Sequence, residues 1–393
     1  MSTNPENPND CNSSNSSNSP ENTTSSLDPI DPPHSPHSPH PAHPPHPTPP
    51  QTVLLTGASG VLGTALLPYL RHHRVIALAH RRHPAPCGEV LVGDVTRPRL
   101  GLDVVSYRRL CARTDAVVHA AGMVAFGSGR ASMHTVNVEG AGRVARFAAD
   151  AGVPLIHVST AYVARYREIL AAGGNRAERA GNSPADYVAS KMAGEEAVAA
   201  AGGSVTVVRP SIIIGDSVTG AIAEPQGLHT FAQQVLRNRL PFVPSDPASY
   251  VDFVPQDVVA RAIVSLLDDG AHPAEYWLSG GAHALTCDRL VQVIVEEAAE
   301  AGIAVRPLRV LAPDVVERLV RPAFFDVVPE WAQTRLDRLL DMSSVLFNEK
   351  PLPSSLAALP GFEAAAGVRA NEDAWRASVR RLIADRLGAR ASA

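Results

Sequence analysis

The sequence is poor in cysteine and has no long apolar segment. Its four cysteines stand at positions 11, 87, 111 and 287, and none belongs to a Cys-x-x-Cys pair. This spacing indicates neither a disulfide framework nor a zinc site. No apolar run approaches the roughly 20 residues of a membrane span, and no basic segment followed by an apolar one begins the chain. We therefore expect reduced thiols, no metal centre, no membrane span and a cytoplasmic location.

Blocks of like charge are missing as well. The chain has 35 basic and 39 acidic residues and a net charge of −4, with the two signs interspersed. A basic patch or stripe is the electrostatic signature of nucleic-acid binding, so we expect no nucleic-acid partner. The sequence leaves the oligomeric state open, with a homodimer as one option.

Residues 1–50 contain few aliphatic side chains besides Leu27 and Ile30 and are dominated by Asn, Ser, Pro and His. Such a composition cannot bury enough apolar surface to offset the entropy of ordering the chain, which predicts a disordered tail. A polyproline II helix repeats every three residues, so a histidine at every third position could line one edge and bind a transition metal weakly. A solvated spacer is the favoured interpretation. The repeat consists of His34, His37, His40, His43 and His46.

From Thr52 onward, short β-branched runs alternate with longer amphipathic segments, which is the pattern of a parallel sheet with helices on both faces. Apolar residues at helical spacing predict helices between the strands, for instance over 61–72 and 133–151. We therefore predict an α/β fold, a Rossmann-type doubly wound parallel sheet over 51–220. A smaller substrate-binding lobe with C-terminal helices is expected over 221–393. The predicted strands cover 52–56, 74–79, 89–92, 116–119, 154–159 and 204–208.

The first predicted strand runs directly into a glycine-rich loop, with the sequence TGASGVLG over 56–63. Its glycines allow a tight turn and a close approach of the backbone to a pyrophosphate, and the following helix offers unpaired N–H groups. A glycine triplet alone marks many ordinary turns, but its position between a strand and a helix is typical of a dinucleotide-binding loop. The predicted cofactor contacts are Gly57, Ser59, Gly60, Val61 and Gly63.

The end of the second predicted strand indicates which dinucleotide binds. An acidic residue there, about 20 residues after the glycine loop, would hold the ribose 2′-hydroxyl of NAD. The chain instead has His80, Arg81 and Arg82, with no carboxylate before Glu89. Because guanidinium groups bind a phosphate bidentately, Arg81 and Arg82 favour the 2′-phosphate of NADP(H). The alternative is that both are solvated loop charges.

Further cofactor contacts are predicted after the third and fourth strands, which end at the same edge of the sheet. The small residues Ala120, Ala121 and Gly122 would let the backbone pass close to the dinucleotide. Asp94 could accept a hydrogen bond from the adenine amino group. A turn or helix-capping role is the alternative for Asp94.

Tyr187 and Lys191 lie four residues apart on a helix predicted to begin near 183–184, so they share one face. The cation is expected to lower the pKa of the phenol and make Tyr187 a proton donor and acceptor near neutral pH. Lys191 could also hold the nicotinamide ribose. Thr160 ends the fifth predicted strand at the same crevice, where its hydroxyl could orient a substrate carbonyl, and Ser159 is the second choice for that role. A Tyr-x-x-x-Lys pair alone is common on solvated helix faces, so its weight comes from this context.

The glycine loop, the set Thr160, Tyr187 and Lys191, and Asn137 together resemble the extended short-chain dehydrogenase/reductases. In that family the asparagine helps a water molecule to relay protons, which the resemblance implies for Asn137. A solvated or backbone-bonded asparagine is the alternative.

Three runs resemble, more narrowly, thioester reductase domains and fatty acyl-CoA reductases: GDVTRPRLGL over 93–102, VSTAYV over 158–163 and RPSIIIGDSVTG over 209–220. The resemblance implies a cofactor contact at Pro210. Val61 departs from the pattern, because those reductases usually have an aromatic residue there.

The resemblance implies that NADPH reduces an acyl thioester, on coenzyme A or a carrier protein, to an aldehyde or an alcohol. We recognise no carrier or adenylation domain, so the thioester is expected from a separate partner. The alternative is a dehydrogenase or epimerase acting on a hydroxyl of a sugar nucleotide, sterol or other small molecule. The apolar segment 227–244, with Arg237 and Arg239, suits an acyl chain on a phosphorylated arm without excluding a nucleotide diphosphate. A non-catalytic cofactor-binding protein is a third reading, although it would be expected to have lost Tyr187 and Lys191.

Overall fold

The computed structural model describes residues 49–80, 88–124, 130–171, 184–320 and 346–391, with isolated residues between 322 and 343. The chain divides into two units, 1–41 and 42–393, and every described residue belongs to the second. The predicted tail as far as residue 48, with its histidine repeat, lies outside the described residues. Arg81 and Arg82 also lie outside them.

Seven strands form one central sheet in the order β7-β6-β5-β4-β1-β2-β3, and all neighbouring pairs are parallel. The first six strands of this order, counted from β3, follow the sequence 3-2-1-4-5-6 that two mononucleotide-binding halves generate. The predicted fold class is therefore confirmed. The strands are β1 Thr52–Thr56, β2 Arg74–Ala79, β3 Glu89–Val92, β4 Ala116–His119, β5 Leu155–Val158, β6 Val205–Pro210 and β7 Ala274–Leu278.

The seventh strand, β7, is the one that the sequence analysis did not predict. It pairs on one side only, with β6, and it comes from the part of the chain expected to form the substrate lobe. The helix before it, over 256–268, also packs its apolar face into the core of the main sheet. Residues beyond 220 thus contribute a strand to this sheet and a helix that packs on it. The predicted domain boundary at residue 220 stays a prediction.

The helices include several on each side of the sheet. The first helix ends at Leu66, six residues earlier than predicted, because Pro68 cannot donate the helical N–H and its ring clashes with the preceding turn. The helices are α1 Val61–Leu66, α2 Val104–Cys111, α3 Arg130–His134, α4 Ala141–Ala151, α5 Tyr162–Ala171, α6 Pro184–Ala201, α7 Leu228–Leu236, α8 Gln256–Asp268, α9 Cys287–Glu300, α10 Pro313–Val315 and α11 Val368–Ala391. None of the helices in the described part of the chain is long and apolar enough to cross a membrane.

Between α3 and α4 the helix widens into a π-helical segment, Thr135–Gly140. The sequence analysis predicted a regular helix there. Insertions of this kind often mark functional sites, and the segment contains Asn137. A second π-helical segment, Val316–Val320, follows α10.

A second apolar core forms around Trp375 on α11, which is fully buried against α7 and α9. Its indole Nε1 donates a hydrogen bond to the carbonyl of Leu290 at 3.1 Å. A Cβ at Gly220 would meet the carbonyl of Ala377, so the backbone of α11 packs directly on the loop that follows β6. The C-terminal helix thereby supports the segment that leads from β6 towards α7.

In the described part of the chain, three small sheets of short strands lie outside the main sheet. Ile212–Ile214 pairs in parallel with Phe253–Pro255, and Phe242–Pro244 pairs in parallel with Arg309–Leu311. Tyr250–Val251 lies antiparallel between Leu285–Thr286 and Phe347–Asn348.

Candidate active site

A cavity of about 880 Å³ lies at the carboxyl ends of β4, β5 and β6, the edge at which open α/β sheets bind their ligands. The glycine loop, α6 and the segment 222–230 form its walls. Gly57, Ser59, Ala121, Asp94 and Asn137 do not line it. The predicted site residues that do are Gly60, Val61, Gly63, Ala120, Gly122, Thr160, Tyr187, Lys191 and Pro210.

The glycine loop packs against the protein backbone on one side and is exposed to the cavity on the other. Gly57 has φ of +75°, and a Cβ there would lie 2.6 Å from the backbone nitrogen of Ala121. The N–H of Gly60 donates to the carbonyl of Gly57 at 2.9 Å and closes the turn. A Cβ on Gly60 would meet only that carbonyl, at 3.3 Å, because the rest of its surroundings is the cavity. The loop therefore offers bare backbone to a ligand.

Thr160 and Tyr187 are brought together as predicted. Tyr187 lies on the first turn of α6, and its hydroxyl shares a hydrogen bond with that of Thr160. Burial raises the pKa of Tyr187 to about 12, although the bond to Thr160 acts in the opposite direction. The expectation that Lys191 lowers this pKa is wrong for this structure, because the Lys191 ammonium donates to the carbonyl of Val158 at 2.6 Å instead.

Lys191 is 5% exposed, and burial lowers its pKa to about 8 although the nearby charge of Glu195 raises it. Two buried histidines lie beneath it, His119 on β4 and His157 on β5, which are paired in register. Their rings stack with centroids 5.4 Å apart. Burial and the charge of Lys191 lower the pKa of His119 to about 3 and that of His157 well below its usual range, so both rings are neutral.

Asn137 is buried and its side chain is bonded to its neighbours. The N–H of Met123 donates to its Oδ1 at 2.8 Å, while its Nδ2 donates to the carbonyl of Met123 at 3.0 Å and to the Ser190 hydroxyl at 2.9 Å. Both amide hydrogens are thus in use. Asn137 fixes the chain after β4, whose residues 122–124 line the cavity, and a part in proton relay stays a prediction.

Asp94 forms a turn, which is the alternative that the sequence left open. Its Oδ1 accepts hydrogen bonds from the N–H and the hydroxyl of Thr96 at 2.9 and 2.7 Å. Partial burial raises the pKa of Asp94, but these bonds outweigh that effect and leave the pKa below its usual value. The imidazole Nε2 of His80 lies 3.5 Å from Oδ2. The adenine contact stays a prediction.

The sequence analysis missed a buried ionic cluster behind Lys191. Glu195, one turn further along α6, binds Arg209 at the end of β6 through two hydrogen bonds. It also accepts a hydrogen bond from Ser159, the residue ranked second for the role of Thr160. The interval of four residues from Lys191 to Glu195 was the one signal for this in the sequence. Arg237 and Arg239 do not line the cavity.

Three further side chains, His72, His73 and Asp268, lie close enough together to be considered as metal ligands. The N–H of Gln51 donates to Nδ1 of His73 at 3.2 Å, which places the ring proton on Nε2. That nitrogen lies 3.0 Å from Asp268 Oδ1 and donates to it, so it has no lone pair for a metal. We interpret the cluster as a hydrogen-bonded link between the end of α8 and the turn before β2.

The cavity fits a nicotinamide dinucleotide. The bare backbone of the glycine loop and of Gly122 lines one side, where a pyrophosphate needs close approach. Thr160, Tyr187 and Lys191 line the part next to the end of β5. A bound nicotinamide would then lie within reach of two hydroxyls and one cation.

Comparison with known proteins supports this reading. The family model of the Male sterility protein matches residues 88–263. The hybrid PKS-NRPS synthetase mpsA of Macrophomina phaseolina is 33% identical over 181 residues, which is 40% of this chain and 4% of that protein. The hybrid PKS-NRPS synthetase gkaA of Penicillium citrinum is 27% identical over 280 residues, 64% of this chain and 7% of that protein. The chain thus spans a small part of these relatives.

Solved structures show the same fold. The terminal R domain from the myxalamid PKS-NRPS biosynthetic pathway has a TM-score of 0.61 and 22% identity, with 88% of this chain and 93% of that one covered. The R domain of a nonribosomal peptide synthetase from Mycobacterium tuberculosis has a TM-score of 0.56 and 24% identity, covering 86% and 94%. The enzyme WbmG of Bordetella bronchiseptica, solved with NAD and UDP, has a TM-score of 0.52 and 21% identity, covering 67% and 83%.

WbmG was solved with NAD, and the lining of the cavity in this chain fits a cofactor of that kind. The chain is thus similar to the Male sterility protein family over residues 88–263, and it has the same fold as the two R domains and WbmG.

Proposed function

We propose that the protein uses NADPH to reduce an acyl thioester, presented on coenzyme A or on a carrier protein, to an aldehyde or an alcohol. The observation that supports this most directly is that Thr160, Tyr187 and Lys191 line the same cavity as the glycine loop. The similarity to thioester reductase domains supports this substrate class. The role of 221–393 as a substrate lobe remains part of the proposal, while the oligomeric state stays open, with a homodimer as one option.

Tyr187 is the proton donor in this proposal. Burial raises the pKa of Tyr187 to about 12, so the phenol carries its proton at neutral pH. Reduction of a carbonyl needs such a donor, because the carbonyl oxygen must receive a proton.

NADP(H) is the proposed form of the cofactor. The segment after β2 has His80 where an acidic residue would select NAD, and the sequence continues with Arg81 and Arg82. In this proposal their guanidinium groups bind the 2′-phosphate. The glycine loop with Ser59 and Val61, together with Ala120, Ala121, Gly122 and Pro210, holds the rest of the dinucleotide, and Asp94 meets the adenine.

A bound reduced nicotinamide supplies the hydride. Thr160 and Tyr187 donate hydrogen bonds to the thioester oxygen, where negative charge develops as the carbonyl carbon is reduced. Tyr187 then transfers its proton to that oxygen and gives a hemithioacetal, which separates into an aldehyde and a free thiol. Lys191, held by the carbonyl of Val158, would bind the nicotinamide ribose, and Asn137 holds the cavity wall. A second reduction of the aldehyde would give the alcohol.

The test is NADPH oxidation by the purified protein with a panel of acyl-CoA and acyl-carrier thioesters. We expect turnover that Tyr187→Phe abolishes and Tyr107→Phe leaves intact. Tyr107 is the matched control because its hydroxyl binds Asp150 at 2.8 Å on α4 and does not line the cavity. Cofactor binding without turnover on any thioester would contradict the proposal and favour the hydroxyl dehydrogenase or epimerase.

A further inference from the structure

Three residues at intervals of four share one face of α6, and this face lies against the end of β5. The three are Tyr187, Lys191 and Glu195, and each forms a hydrogen bond with one residue of the segment 158–160. Tyr187 shares a hydrogen bond with the Thr160 hydroxyl. Lys191 donates to the carbonyl of Val158, and Glu195 accepts from the hydroxyl of Ser159.

The third of these, Glu195, is buried and its carboxylate is fully bonded. Oε1 accepts from the Ser159 hydroxyl and from Nε of Arg209 at 2.9 Å. Oε2 accepts from Nη2 of Arg209 at 2.8 Å and from Nη2 of Arg167 at 3.3 Å. All four partners are donors, so Glu195 is a carboxylate with a fixed orientation.

Arg209 is itself held from a second side. It is 1% exposed and binds Glu275 on β7 through hydrogen bonds of 2.6 and 2.9 Å. Its guanidinium group also lies 4.5 Å from the centre of the Trp277 ring. Glu275 is more than half exposed and touches neither Ser159 nor Lys191, which makes it a natural control for Glu195.

The electrostatic surroundings of Lys191 single out Glu195. His119 on β4 and His157 on β5 are the two imidazoles whose pKa values the charge of Lys191 lowers, and both are neutral at neutral pH. The Arg209 guanidinium, which also acts on His157, is a cation and cannot favour the charged form of Lys191. Burial lowers the pKa of Lys191, and the negative charge of Glu195 raises it.

We propose that Glu195 is a positioning residue of the active site, which keeps Lys191 cationic and turns the hydroxyl of Ser159 away from the substrate. Thr160 is then the hydroxyl left to act with Tyr187. This inference rests on the proposed function for the role of Lys191 in the reaction. Its physical content, the charge state of Lys191, is measurable without cofactor or substrate.

The composition of the chain allows that measurement. Lys191 and Lys350 are its two lysines, so lysine labelled with ¹³C at the ε-carbon gives two NMR signals, and Lys350→Arg assigns them. We expect Glu195→Gln to lower the pKa of Lys191 by about one unit or more, because an opposite charge nearby favours the cation. Glu275→Gln, which loosens Arg209 from its other side, should leave the pKa of Lys191 in place.

An unchanged Lys191 titration in Glu195→Gln, or an equal shift in Glu275→Gln, would overturn the proposal. If Glu195→Gln does not fold, Arg167→Gln decides the matter, because the Arg167 side chain is half exposed. Removing this cation frees the charge of Glu195 and should raise the pKa of Lys191, and no shift would refute the idea. None of these results depends on thioester turnover, so failure of the proposed function remains distinguishable.

Discussion

Gly63→Ala is expected to destabilise the folded protein and to distort the cofactor loop. A Cβ at position 63 would lie 2.6 Å from Cα and 2.8 Å from the carbonyl carbon of Ala58, and would also overlap the carbonyl oxygen of Gly57. Ordinary carbon–carbon contacts are about 3.5–4.0 Å, so the loop backbone must move by about 1 Å. Overpacking of this kind costs about 1–3 kcal/mol of unfolding free energy. The Gly57 carbonyl would also lose its fixed place as acceptor for the N–H of Gly60.

Two other glycines provide the comparison. Gly60→Ala has room in the fold, since its Cβ meets only the Gly57 carbonyl at 3.3 Å, but the methyl group enters the cavity. We expect its stability within about 0.5 kcal/mol of wild type and a cofactor dissociation constant raised about tenfold or more, or about 1.4 kcal/mol. Gly367→Ala, with no atom within 4 Å of the new Cβ, should change neither. Chemical denaturation and NADPH titration measure the two quantities, and a Gly63→Ala protein as stable as Gly367→Ala would refute the packing argument.

Two further predictions concern charge and hydrogen bonding. Burial lowers the pKa of Lys191 to about 8, so the ammonium is protonated below that pH and loses its charge as the pH rises through it. The affinity for NADPH should therefore fall above pH 8. A fluorescence titration of NADPH binding that stays unchanged through this range would contradict the assignment. Asn137→Ala removes three hydrogen bonds to Met123 and Ser190. It should lower the free energy of unfolding, measured by chemical denaturation, by about 1–3 kcal/mol. It should also weaken cofactor binding, because Met123 lines the cavity. A loss of stability below 0.5 kcal/mol would mean that water replaces these bonds.

Much of the main sheet could be predicted because each strand is a short apolar run with clear breaks on both sides. Four of the six predicted strands have the predicted bounds, and the other two differ by one or two residues. Parallel strands buried on both faces give this strong, local signal. The short segment that forms β7 contains Glu275 and pairs on one side only, so its apolar signal was weaker.

The site was predictable where the chemistry follows from spacing along one element. The four-residue interval from Tyr187 to Lys191 placed both on one wall of the cavity, as expected. The pKa of Tyr187 was not predictable in this way, because it depends on which acceptor Lys191 chooses in three dimensions. The choice between Ser159 and Thr160 depends likewise on Glu195 and Arg209, which lie 36 and 50 positions beyond Ser159 in the sequence.

The use of lysine at position 191 has a physical reason that the rest of the chain makes visible. Of 35 basic residues, Lys191 and Lys350 are the two lysines, and the buried ion pair with Glu195 is made by an arginine. A guanidinium group stays protonated in any protein environment, whereas burial can bring a lysine close to neutral pH. At Arg209 a permanent charge is useful, because two carboxylates must be held. At position 191 burial lowers the pKa of the lysine to about 8, so its charge can change near neutral pH, whereas the charge of an arginine there would be permanent.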